Sequence, residues 1–100
     1  MIIVSGTIVI DPANTDRATE LTTALMAATR AEPGNLSYGF YADIEQPGRY
    51  QLYEEWETQE AIDGHNASDH FAAFMAASAD LGVVSVEVNQ FAVSDKTRIM

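Results

Sequence analysis

The chain has 100 residues, with 5 Lys and Arg against 15 Asp and Glu, giving a formal net charge of −10 with both histidines neutral. Hydrophobic residues make up 47% and charged residues 20%, a globular balance that excludes an acidic disordered tail and suits one domain over 1–100. The acidity excludes nucleic acid and anionic membrane as partners, because both need clustered Lys and Arg, and zero cysteines exclude disulfides and thiolate chemistry.

Residues Ile2 to Ile10 are dense in β-branched side chains and predict a buried strand, with Gly6 marking a bulge or a close backbone approach. Asp11-Pro12 stops it, and Asp11 or Asn14 is placed to cap the next helix. From Asp16 to Ala31, Ala18, Leu21, Leu25 and Ala28 recur at helical spacing, and Glu32-Pro33-Gly34 ends the helix. Leu36, Tyr38 and Phe40 alternate with Ser37, Gly39 and Tyr41 as a second strand. Pro47-Gly48 turns the chain into a third, with Tyr50, Leu52, Glu54 and Trp56 on one face. Thr58 caps a helix that breaks at Asn66-Ala67-Ser68, and Ser68 recaps a segment carrying Phe71, Phe74 and Met75. After Gly82, a last strand runs from Val83 to Val93, with Val84, Val86 and Val88 on one face. Residues from about 94 onward read as a flexible tail.

The order β-α-β-β-α-β with a split second helix predicts an α+β, ferredoxin-like plait, one antiparallel sheet with helices on one side. The other side would carry Tyr41, Tyr53, Val9 and Phe91 among polar residues. Such a face predicts a homodimer that pairs two sheets. No apolar run approaches ~20 residues and no charged leader precedes one, so the expected location is cytoplasmic.

Glu32-Pro33-Gly34-Asn35-Leu36-Ser37-Tyr38, then Tyr53-Glu54-Glu55-Trp56, then Ala61 to Phe74 (AIDGHNASDHFAAF) resemble the antibiotic biosynthesis monooxygenase family. The resemblance runs in order from the first strand to about Phe74. It implies a dimeric α+β barrel and, among the family's oxygenases, catalysis without flavin, haem or metal. The chain has no glycine-rich dinucleotide or phosphate-binding motif, which agrees with no cofactor. Haem-degrading relatives resemble one another in an Asn, a Trp and a proximal His. Ser5, His65 and Met75 stand at those positions here, so haem chemistry is set aside.

Oxygenation by protein alone needs a substrate that reduces O₂ itself once deprotonated, such as a hydroquinone or a polyketide-like phenol. It therefore needs a base and an apolar, water-poor pocket. His65 is the expected base, its alternative being a histidine that bonds a backbone carbonyl at the helix break. Glu54 is a second acid or base if its strand face is the covered one, and a surface carboxylate otherwise. Trp56, Tyr38 and Phe74 are expected to hold the substrate ring, or else to be core. His70, beside Asp69, completes the expected substrate set, the alternative being a local bond or solvent. Asp63, His65, Asp69 and His70 include metal-ligand types. The five-residue offset of the histidines, however, is not the i, i+4 geometry of helical zinc pairs, so no metal is expected. Two other functions remain on the sequence: a proton-transfer isomerase of a small hydroxy-ketone, and a ligand-binding or stress dimer without turnover.

Overall fold

A computed structural model describes all 100 residues. The elements are β1 (Ile2–Ile10), a 3-10 turn (Pro12–Asn14), α1 (Thr15–Arg30), β2 (Asn35–Ala42), β3 (Arg49–Trp56), α2 (Gln59–Asn66), α3 (Asp69–Ser78), a second 3-10 turn (Ala79–Leu81) and β4 (Val83–Ala92). The strands form one sheet in the order β2-β3-β1-β4, every neighbour antiparallel. This is the ferredoxin-like α+β arrangement with its second helix in two pieces. No helix is long and apolar enough to cross a membrane.

The element ends follow from local chemistry. The Asp11 carboxylate accepts from the Ala13 N–H at 2.9 Å and starts the first turn. Asn14 does not cap α1 with its side chain. Its amide instead donates to the Leu81 carbonyl at 3.0 Å, tying the start of α1 to the turn after α3. Thr58 accepts from the Ala61 N–H to begin α2. At the break, the Ser68 hydroxyl accepts from the Phe71 N–H and donates to the His65 carbonyl at 2.6 Å. One hydroxyl thus closes α2 and opens α3.

The register sets Val4 opposite Glu54 and Gln90, and Tyr38 opposite Glu54. Tyr38, Phe40, Leu52, Glu54 and Trp56 therefore share the face beneath the helices. Leu25, Tyr38, Leu52, Trp56 and Ile62 form one core cluster, and Ile10, Ala18 and Leu81 a second. Leu36 does not join them. A bulge lies between Asn35 and Ser37, where the Asn35 amide bonds the Ser37 carbonyl, and Leu36 turns out to solvent. The helices also stop short of β4, so Val86 and Val88 remain 58% and 40% exposed although they share the helix-covered face. Beyond Ala92 there is no regular structure, yet Val93 N–H bonds the Met1 carbonyl and Lys96 reaches Glu55 at 3.1 Å.

Gly6 sits where β1 is squeezed between Leu52 and Val88. A Cβ there would lie 2.6 Å from the Val88 Cα and run into the Glu87 carbonyl, both backbone groups that cannot swing aside. Gly6→Ala is expected to cost about 1–3 kcal/mol by prising β4 from β1. Urea denaturation checks this; a variant as stable as the parent would mean that the two strands do not press together there.

Candidate active site

His65 lies in the last turn of α2, three residues after Ile62, and both side chains are buried against the sheet. Its imidazole is 3% exposed, with ring centroids 5.1 Å from Trp56, 5.3 Å from Tyr38 and 5.0 Å from Phe71. The ring nitrogen Nδ1 lies 3.0 Å from Oε2 of Glu32. The other oxygen of Glu32 lies 2.6 Å from Nε2 of His70. One carboxylate thus holds two imidazoles. With Glu32 ionised, Nδ1 of His65 carries the proton and Nε2 keeps the lone pair.

Glu32 gets there through the turn after α1. Gly34 has φ +82° and packs so tightly on α2 that a Cβ would sit 2.6 Å from the Ala61 Cβ. The Gly34 carbonyl accepts from the Glu57 N–H, which fixes the turn against the exit of β3. The Glu-Pro-Gly segment therefore does more than end a helix: it presses a carboxylate against the helix break.

Between the helices and the sheet lies a cavity of about 370 Å³. Its floor is Val4, Ile8, Tyr38, Phe40, Leu52 and Glu54, with Val86 and Val88 toward the edge strand. Its roof is Leu25, Ile62, His65, Asn66, Phe71, Phe74 and Met75. Phe40 and Phe74 face each other with centroids 5.8 Å apart. The volume suits a ligand of one to a few fused rings. The cavity is not sealed, since its Val86 and Val88 side meets solvent.

Glu54 brings a second ionisable group into this wall. It is 5% exposed and accepts a hydrogen bond from the Trp56 indole N–H at 2.8 Å. Desolvation raises its carboxyl from the ordinary 4.5 to about 7; the indole bond opposes the rise and the charge on Glu32 adds to it. The His65 imidazole is held below its usual value, because loss of water outweighs the pull of Glu32, and His70 pushes the same way. Burial, helped by Glu54 and Glu32, moves the Tyr38 hydroxyl far above the usual tyrosine range, so it remains a neutral donor. At neutral pH the wall therefore offers an uncharged imidazole and a carboxyl divided between its two forms.

Of the expected site residues, His65, Glu54, Tyr38 and Phe74 meet at the cavity. Trp56 and His70 do not line it. Trp56 is 0% exposed, so its indole cannot stack on a substrate; it lies behind His65 and holds Glu54. His70 is turned to Glu32. Sequence reasoning missed Glu32, which stands 33 residues from His65 and reads as a helix stop. It also missed Phe40 as a wall residue, although Phe40 alternates with Tyr38 on the strand. A second, larger hollow of about 470 Å³ opens on the far side of His65, lined by Glu32, Glu57, Thr58 and Glu60 with a single hydrophobic residue. Its carboxylates make it unfit for an apolar ring.

The family model described as antibiotic biosynthesis monooxygenase matches residues 1–77. A Bacillus subtilis protein with a provisional monooxygenase name, YcnE, is 27% identical over a 95-position alignment that covers 90% of this chain and all of YcnE. An uncharacterised Synechocystis protein is 28% identical over 94 residues. The match takes in 94% of this chain but 64% of that protein's length. A crystal structure from Deinococcus radiodurans, described as a candidate antibiotic biosynthesis monooxygenase, superposes with a TM-score of 0.92 at 26% identity, covering 100% of this chain and 99% of that one.

The raised carboxyl of Glu54 has a stability consequence. A group whose folded pKa exceeds its unfolded one contributes fully below about pH 4.5 and loses that contribution as pH rises through about 7. Glu54→Gln keeps an acceptor for Trp56 but never ionises. It is expected to be more stable than the parent at about pH 9, on the order of 2–3 kcal/mol, with no such gain at about pH 4. Urea melts at the two pH values measure this, and equal stability at both would mean that the carboxylate is hydrated.

Proposed function

Because the chain belongs to the antibiotic biosynthesis monooxygenase family, we propose that it oxidises a hydroquinone or polyketide-like phenol with O₂, the substrate serving as its own reductant. The observation that carries this reading is His65, its Nδ1 held by Glu32 while its ring forms part of an apolar cavity wall. That is the arrangement of an oriented base, in which a carboxylate fixes the tautomer and leaves the second nitrogen to take a proton.

The substrate ring lies against the Phe40–Phe74 pair, and its hydroxyl gives a proton to Nε2 of His65. Tyr38, kept neutral, donates a hydrogen bond to the resulting phenolate. The electron-rich anion passes one electron to O₂, and the ring radical and superoxide combine to form a carbon–oxygen bond. The imidazolium returns its proton to the outer oxygen, the ring carbon loses its hydrogen, and the O–O bond breaks. One oxygen stays on the ring as a quinone carbonyl and the other leaves as water. All four electrons taken by O₂ come from the substrate. Glu54, with a pKa of about 7, is suited to accept the ring hydrogen as a proton.

A proton-transfer isomerase would use the same base. A phosphorylated hydroxy-ketone, however, needs a cation, and neither Lys nor Arg lines the cavity. Oxygen uptake with a menadiol-type hydroquinone, corrected for its spontaneous oxidation, tests the proposal. His65→Ala is expected to lower the rate per folded molecule by about 10²–10⁴-fold. A rate within twofold of the parent would remove His65 as the base, and ring binding without oxygen uptake would leave a ligand-binding protein.

We also propose that two chains pair through the uncovered sheet face. Tyr41 and Phe91 stand half-exposed there, flanking Ile3, Val9 and Tyr53. Tyr41→Asp is expected to shift sedimentation from dimer to monomer, and an unchanged profile would put the contact elsewhere.

A further inference from the structure

The two histidines and Glu32 meet in a way that hydrogen bonding alone does not exhaust. Glu32, His65 and His70 each offer one ligand atom within 4.8 Å of the other two. In a zinc site, ligand atoms about 2.0–2.1 Å from the ion stand about 3.3 Å apart. Oε1 of Glu32 already stands 3.3 Å from Nδ1 of His65, and its 2.6 Å contact with Nε2 of His70 must open by about 0.7 Å to reach that spacing. His70 is part-exposed in the first turn of α3, and its side chain has room to make that shift.

We propose that Glu32, His65 and His70 bind one divalent transition-metal ion of the zinc type. Two imidazoles and one carboxylate favour such an ion over calcium or magnesium, which prefer oxygen alone. Access is provided by the acidic hollow, where Glu57 and Glu60 stand beside Glu32 and attract cations. Three protein ligands leave the fourth position to water. No net proton need be lost. In each neutral imidazole the proton moves to the other ring nitrogen, from Nδ1 to Nε2 in His65 and from Nε2 to Nδ1 in His70, freeing the lone pair that faces Glu32.

This shift has a functional consequence, which rests on the reading of His65 as the base. With the metal on Nδ1, Nε2 carries a proton and cannot accept one from a substrate. The ion is an inhibitor that enters from the side opposite the apolar cavity.

Titration calorimetry with Zn²⁺ alone, on protein stripped by a chelator, tests the site. One ion per chain is expected, with affinity reduced at least about 100-fold in His70→Ala. Glu32→Gln, which keeps the size and hydrogen bonding of the side chain, should weaken binding comparably, and circular dichroism reports whether each variant is folded. No saturable binding, or binding retained in both folded variants, overturns the site. So does binding lost in Glu57→Gln/Glu60→Gln but kept in His70→Ala. Zinc should halve oxygen uptake at the midpoint of binding and abolish it at saturation; binding without inhibition would refute His65 as the base while leaving the site standing.

Discussion

An indole shut away from water must still place its N–H, and that requirement organises the interior of this protein. Trp56 sits at the end of β3, fully buried, and its N–H is accepted by Glu54 two residues back on the same strand face. A carboxyl is thereby drawn into the core, where it would otherwise be expensive to keep. The same indole packs against His65. A structural aromatic thus holds one ionisable group and backs another, and Glu54 cannot turn outward without leaving the indole unsatisfied.

The second organising contact is Glu32. It lies in a turn belonging to neither the sheet nor the helix that carries His65, yet it fixes which nitrogen of His65 is free. The helix break makes this possible. Ser68 ends one helix and begins the next, so His65 and His70 come from different helices and converge on one carboxylate. An unbroken helix would set residues 65 and 70 about 140° apart around its axis. The break brings together what helical periodicity would have separated.

This explains what could be read from residues in order. Alternation along Tyr50 to Trp56, the caps at Thr58 and Ser68, and the turn signals at Pro33-Gly34 and Pro47-Gly48 are local, and each element stands where that chemistry puts it. The face shared by Leu52, Glu54 and Trp56 was legible too, because strand periodicity has only two solutions. Contacts between distant segments were not legible. Nothing in Glu32-Pro33-Gly34 announces a partner beyond the turn, so that carboxylate stayed invisible as a site residue. Leu36 misleads because a bulge has no periodicity of its own. Trp56 misleads because an aromatic suited to stack on a ligand is equally suited to fill a core, and only packing decides between them. Alternation likewise marks Val84, Val86 and Val88 as one face without telling whether the helices reach far enough to cover it.

That last strand has a bearing on what the cavity can accept. β4 is paired along one side only, to β1, and its valines form the one wall with no helix pressing on it. β1 and β3 are each held by a strand on both sides, so a guest too wide for the hollow meets the most yielding resistance at β4. Tolerance of ring size is therefore governed by how readily this outermost ribbon bows away, and a stiffer β4 would make the protein more discriminating without altering any group that handles protons.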